Sequence, residues 1–184
     1  MTFVRGHTAP MEPTHSALIV AVAEAEPVVA AHRDRFDRAA SWGVPAHITV
    51  LFPFLAPAAL DERVLAAVGQ AAASVPAFFF DLAAVRWFGE RVVWLAPQPA
   101  EPFVALTAAV TARFPAVRPY EGAFDEVVPH LTIGHDHPVA NLRAAADAVG
   151  PRLPIHARVT ALRLITGVPE PGPSWTTRHE FPLG

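Results

Sequence analysis

The chain has 184 residues, of which 52% are hydrophobic and 17% charged, and a formal net charge of −3. This balance suits one compact unit with a sizeable core and argues against a largely disordered chain; the slight acidity gives no sign of wholesale binding of long nucleic acid but admits a small phosphorylated ligand in a local cleft. Cysteine is absent and every basic residue is Arg, which rules out disulfides, cysteine nucleophiles, Cys-based zinc sites, P-loop lysines, Schiff bases and lysine–nucleotidyl intermediates.

Residues 1–14 are polar and contain proline; they read as a flexible leader without the apolar stretch of a signal peptide. Residues 15–184 read as a single bilobal domain. The segment 16–24 predicts a buried strand, and 26–43 a helix with Pro27 in its first turn and Gly43 at its end. No apolar run reaches the length of a membrane span, so a cytoplasmic location without membrane contact is expected. The β-branched, aromatic segment 46–54 predicts a strand stopped by Pro53. A helix comes next at about 58–74, then a hairpin of 77–88 and 91–97 across Gly89-Glu90.

An Ala-rich stretch from Pro102 to Phe114 predicts a third helix. A loop rich in Pro, Gly and acidic residues leads to a strand at 130–135. A helix at 138–149 and two closing strands, about 153–166 and 174–182, complete the chain. Strands and helices interleave throughout, and the order strand, proline-opened helix, strand pair occurs twice. The resulting expectation is an α+β fold duplicated about a pseudo-two-fold, with two antiparallel-type sheets, outer helices and a central cleft.

The two copies begin with His47-Ile48-Thr49-Val50 and His130-Leu131-Thr132-Ile133, close to half the chain apart. Strand alternation points His47 and Thr49 to one face and Ile48 and Val50 to the other, and likewise for the second copy. An isolated His-x-Thr is more often a strand with an incidental histidine. Two copies with apolar neighbours arise by chance roughly once in a hundred sequences of this composition. A neutral imidazole can take a proton from an attacking water or hydroxyl, and a protonated one can give a proton to the leaving oxygen. The threonine hydroxyls can donate to the non-bridging phosphate oxygens, where charge accumulates. This chemistry requires no metal and no cofactor.

The segments VPAHITVLFPF and FDEVVPHLTIGH resemble the two signature motifs of the 2H phosphoesterase superfamily, specifically the 2′-5′ RNA ligase and cyclic phosphodiesterase group. The resemblance spans both motifs, their spacing, the chain length and the element order. It implies a bilobal α+β fold and ATP-independent hydrolysis of 2′,3′-cyclic phosphates or 2′-5′ linkages. It also implies catalytic roles for His47, Thr49, His130 and Thr132, with Phe52 near a base or sugar. Many members carry Arg five residues past the second motif histidine as a phosphate contact, where this chain has His135. Strict alternation places His135 opposite His130 unless the strand bulges at Gly134. His135 is then either a pH-dependent phosphate contact or a strand-end histidine.

Tyr120 and Arg118, in the loop before the second motif, are further substrate-binding candidates, weighed against roles as a loop anchor and a solvated surface charge. Phe124 shares that loop, and Asp125 or Glu126 could orient a catalytic histidine. The run His135-Asp136-His137 is poorly spaced for metal ligands converging from one strand face, and no metal site is assigned. Trp42, Trp87, Trp94 and Trp175 read as core or rim packing, with a base-stacking wall as the alternative. The expected partner is a small phosphodiester or RNA end, bound by a monomer. The rival readings are a non-catalytic RNA-end or nucleotide-binding module and a phosphodiesterase of a non-nucleotide metabolite.

Overall fold

The computed structural model describes residues 12–122 and 127–184, without the side chains of residues 120 and 121. The leader reading for residues 1–11 therefore lies outside the described residues, as do Phe124, Asp125 and Glu126. Thr14 is already tied to the body, its backbone N–H donating to the Gly167 carbonyl at 3.1 Å.

Among the described residues the strands are β1 (His15–Ala21), β2 (His47–Leu51), β3 (Phe78–Phe88), β4 (Val92–Gln98), β5 (Leu131–His135), β6 (Ile155–Val159), β7 (Ala161–Gly167) and β8 (Thr176–Pro182). The α-helices are α1 (Glu26–Phe36), α2 (Arg38–Ser41), α3 (Glu62–Ala73), α4 (Glu101–Arg113) and α5 (Val139–Val149). None is long and apolar enough to cross a membrane. Pro27 and Pro102 occupy the first turns of α1 and α4, where a missing N–H costs no helical bond. The Asp61 carboxylate caps α3 by accepting from the Val64 N–H at 2.9 Å.

The α+β class holds, but the expected pair of separate sheets does not form. All eight strands join one antiparallel sheet in the order β6-β3-β4-β5-β2-β1-β7-β8. The join lies at its centre, where Ile48 of β2 pairs with Leu131 of β5. These are the residues between His and Thr in each motif, so the motif strands are neighbours. Both side chains are fully buried, a burial that stabilises the join by roughly 1.5–3 kcal/mol per residue.

A second correction concerns the segment 153–166, read as one strand. It is two: β6 pairs with β3, and β7 pairs with β1. Only Thr160 separates them, although they stand first and seventh in the sheet. One residue spans at most about 3.6 Å. The sheet must therefore curl until those positions meet, which makes one face concave.

The helices cross over behind the curl. Helix α1, which comes after β1, lies against β5, and α4, which comes after β4, lies against β2. Each motif strand is thus backed by a helix from the other half of the chain. The main core behind the sheet contains Ile48, Val50, Leu131 and Ile133 together with Phe103, Leu106 and Leu142. A smaller apolar cluster of Ala17, Ile19, Val44, Ile165 and Trp175 lies apart from it, with Trp42 and Phe52 packed against it.

Candidate active site

Both motif strands break their alternation at the same place. In β2 the register against β1 runs Ile19↔Thr49, then Leu18↔Leu51, leaving Val50 as an extra residue. In β5 the register against β4 runs Trp94↔Thr132, then Val93↔Gly134, leaving Ile133 extra. Each bulge comes directly after the motif threonine and shifts the next side chains by one face. The bulged Val50 carbonyl is met by the Thr107 hydroxyl of α4 at 3.3 Å.

The consequence is a cavity of about 350 Å³ that takes residues from both strands. His47, Thr49, His130 and Thr132 line it, and the bulges add Phe52 from one strand and His135 from the other. His135 therefore shares a cavity with His130, the outcome that required a bulge near Gly134. The glycine itself is necessary: a Cβ there would lie 2.6 Å from Phe36 Cβ and 3.0 Å from Leu142 Cδ2. Its absence lets the end of α1 approach β5.

The two motif histidines are held in the same way. His47 Nδ1 lies 2.7 Å from the Pro45 carbonyl and His130 Nδ1 lies 2.7 Å from the Val128 carbonyl. A carbonyl only accepts, so each Nδ1 carries the proton and donates it, leaving Nε2 as the nitrogen available for proton transfer. The chain entering His47 is pinned further. Ala46 donates its N–H to the Glu26 carboxylate at 2.6 Å, and the Val44 carbonyl accepts from Arg33 at 3.2 Å.

Burial lowers the pKa of His47 to about 4, with the Arg33 charge adding to the effect and the Pro45 hydrogen bond and Asp37 opposing it. Burial also lowers that of His130, against the Val128 hydrogen bond and Asp37. Both imidazoles therefore favour the neutral form at pH 7. His130 is flanked by the rings of Phe88 and Trp94, at centroid distances of 5.1 and 5.8 Å.

The helix predicted over 26–43 breaks at Asp37, whose backbone is extended (φ −116°, ψ 114°). Its carboxylate accepts from the Ala39 N–H at 3.0 Å, capping α2, and from Arg33 Nε at 2.9 Å. His135 Nε2 stands 3.6 Å from the same carboxylate. Arg33 is only 2% exposed and Asp37 5%, so this is a buried ion pair at the cavity edge. An Arg and an Asp four residues apart on a helix ordinarily signal a solvated pair, and nothing in the sequence marked these two as site residues.

The end of the cavity beyond Phe52 is apolar, formed by Ala17, Ile19, Val44, Ile165, Trp42 and Trp175. The two indoles stack at 6.4 Å with an interplanar angle of 18°, and Phe52 meets Trp175 at 6.2 Å. Trp175 is fixed by its Nε1–H donating to the Val168 carbonyl at 2.9 Å. Gly167 makes room for it, since a Cβ there would lie 2.5 Å from the indole. Of the four tryptophans read as packing residues, Trp42 and Trp175 reach the cleft.

Arg118 is not brought to this cavity. It lines a separate groove with Val104, Thr107, Thr111 and Val117. Phe114 turns inward against Phe54, 5.0 Å between ring centroids, and that anchoring leaves Arg118 beside α4. The Tyr120 side chain lies outside the described residues. Among the described residues, no group of three or more His, Asp or Glu is arranged to hold a metal ion. His137 instead packs edge-on against Phe36 at 5.3 Å.

A curled antiparallel sheet that brings two bulged His-x-Thr strands into one cavity is consistent with the 2H phosphoesterase class. More particularly, the chain belongs to the 2'-5' RNA ligase superfamily, whose family model matches residues 15–168. E. coli LigT in complex with 3'-AMP shares the fold with a TM-score of 0.58 and 18% identity, over 94% of this chain and 99% of that one. TT0787 of Thermus thermophilus gives a TM-score of 0.63 at 19% identity, over 91% and 97% of the two chains. A further structure described as a phosphoesterase gives 0.55 at 17% identity, over 93% and 99%. No curated protein matches the sequence.

Proposed function

We propose that this protein hydrolyses a small 2′,3′-cyclic phosphate or 2′-5′-linked phosphodiester, without metal or ATP, using His47 and His130 as acid and base. The observation that carries the reading is the shared cavity, in which two Nδ1-anchored imidazoles and two threonine hydroxyls converge. His47 is assigned the base. The Arg33 charge disfavours a proton on it, an opposition absent from the groups acting on His130. An incoming phosphate anion favours protonation of both rings, and His130 takes the proton more readily.

In the reaction a water oxygen bonds to phosphorus while its proton passes to His47 Nε2. The bond from phosphorus to the ribose 2′- or 3′-oxygen breaks, and that oxygen takes the proton from His130 Nε2. The product is a phosphomonoester, and a second proton exchange with solvent resets the pair. Thr49 and Thr132 donate to the equatorial oxygens as charge builds there. Phe52, Trp42 and Trp175 receive the base or another flat group, and His135 supplies a positive charge beside the phosphate.

The cavity of about 350 Å³ lies near the lower end of the range for small-molecule sites, roughly 300–1,000 Å³. That size favours a mononucleotide or a short RNA end over a polymer. The binding of 3'-AMP by LigT, a monoester of the kind such hydrolysis yields, supports the same substrate class. The recurrence of strand, helix, motif strand, helix in both halves supports a duplicated origin. A cytoplasmic monomer is the form proposed to act.

The test is turnover of 2′,3′-cyclic nucleotides in EDTA by the wild type, His47→Ala and His130→Ala. Full wild-type activity in EDTA with near-complete loss in both variants is expected. Loss of wild-type activity to EDTA, or turnover retained by both variants, overturns the mechanism.

A further inference from the structure

His135 occupies the cavity edge with both ring nitrogens facing carboxylates. Nε2 is 3.6 Å from Asp37 Oδ1, and Nδ1 is 3.3 Å from Asp136 Oδ2. The Arg38 backbone N–H also points at Nε2, at 3.4 Å. The ring thus has two sets of partners. When protonated, both N–H groups face carboxylates. When neutral, Nδ1–H keeps Asp136, and the Nε2 lone pair takes the Arg38 N–H.

The Asp37 half of this arrangement is rigid. Asp37 is buried, bonded by Arg33 and by the α2 backbone, and brought to β5 by the close approach that Gly134 permits. The Asp136 half is a surface pair: its carboxylate accepts from Arg91 at 2.6 Å, and residue 136 takes a left-handed φ of 54°. Asp34, Arg35 and Arg38 line a neighbouring pocket that His135 also borders, and His47 and His130 share the main cavity with it. Of the three histidines lining the cavity, His135 is the one whose surroundings favour the charged form before an anion binds, because burial disfavours a proton on the two motif histidines.

We propose that the buried Arg33–Asp37 pair is a positioning device for His135, which makes the cleft's grip on phosphate dependent on pH. The inference rests on the proposed placement of the phosphate near His135, and it deepens that reading by naming what sets the charge there. The hydrogen bond to Asp37 foremost holds the His135 pKa above its ordinary value, against the opposing effect of burial, with Asp136 adding to Asp37. The imidazolium therefore persists to higher pH than that of a free histidine and is lost as the pH rises through that raised value. Its N–H groups are turned to Asp37 and Asp136, so its contribution to an anion is Coulombic and not a direct hydrogen bond. An arginine at this position would hold its charge across the whole range.

The test uses sulfate, dianionic throughout, as the probe of the full-length protein between pH 6.5 and 9.5, so no turnover is needed. Binding is followed together with the His135 ring resonances by NMR. Wild-type sulfate affinity is expected to fall roughly tenfold as His135 titrates, the effect of removing one charge a few ångströms from a dianion in a wet cleft. His135→Arg is expected to lose the part of the profile that follows the His135 resonances and to keep only what proton uptake at His130 contributes. Asp37→Asn shifts the His135 titration, and with it the loss of sulfate, to lower pH. Asp37→Asn leaves Arg33 buried without its partner, so the double variant Arg33→Gln with Asp37→Asn serves if the single one does not fold.

A wild-type sulfate affinity that does not change across the window overturns the proposal. So does a His135 titration that stays in place when Asp37 is neutralised. A protein that binds sulfate as described but fails to hydrolyse cyclic phosphates refutes the proposed activity and leaves the positioning role standing.

Discussion

The two half-sites share a backbone and differ in the residues just beyond it. His47-Ile48-Thr49 and His130-Leu131-Thr132 have the same Nδ1 anchor to a carbonyl two residues back, the same buried middle residue and the same bulge after the threonine. Five residues past each histidine they part: Phe52 faces the two stacked indoles, and His135 faces Asp37 and Asp136. The motif side chains are thus placed by backbone geometry common to both strands. The flanking position gives the cavity an aromatic end and a charged end. A phosphodiester with one flat substituent would enter in a single direction.

If the half-sites are equivalent in chemistry, His47→Ala and His130→Ala should each lower kcat by about 10²–10⁴-fold. The double variant should be little worse than either single one, because the two groups act as a unit. Steady-state kinetics on a cyclic nucleotide checks this. A difference between the single variants much beyond tenfold would break the equivalence.

The electrostatics of the halves should separate in a stability profile. The unfolded chain binds a proton at His47 near the ordinary value of 6.5 and the folded one only near 4, so stability falls as the pH drops between those values. The loss reaches at most about 3 kcal/mol, less what water entering the cleft screens. His135 has the opposite sign: its contribution is complete below the unfolded value and disappears as the pH rises through its raised one. Urea titrations of the wild type, His47→Ala and His135→Gln should show the acid limb shrink in the first variant to the part that His130 and the paired carboxylates contribute, and the alkaline limb disappear in the second.

Two smaller effects test the flanks. Gly134→Ala forces a Cβ into Phe36 and should destabilise the fold by about 1–3 kcal/mol. It should also move the His135 resonances, since it pushes α1 and Asp37 away from β5; thermal melts with NMR check both. Phe52→Ala should raise KM for a nucleotide substrate about five- to tenfold through lost stacking, with kcat nearly unchanged. If kcat falls instead, the aromatic end positions the reacting phosphate as well as the base.

Much of the site was legible because it is local. Two strands of alternating His, apolar and Thr residues announce their own face, and their apolar partners announce a core. The strand and helix order was legible for the same reason. The end of the first helix was not: Asp37 leaves the helix to cap α2 and meet His135, a partner 98 positions away in the chain. The split between β6 and β7 was equally hidden, since a run of strand-forming residues does not reveal that Thr160 carries the chain between distant positions of a curled sheet.

The sequence by itself determined the two His-x-Thr pairs, the faces on which they stand and the absence of lysine or cysteine chemistry, because side-chain identity and strand period are properties of neighbouring residues. Only the tertiary structure decided that both motifs share one sheet and that bulges turn Phe52 and His135 into one cavity. It alone decided that a buried Arg33–Asp37 pair stands behind the second of these. Each of those depends on pairing register and close packing between segments far apart in the chain, where a single unpaired residue reverses the face of every side chain after it.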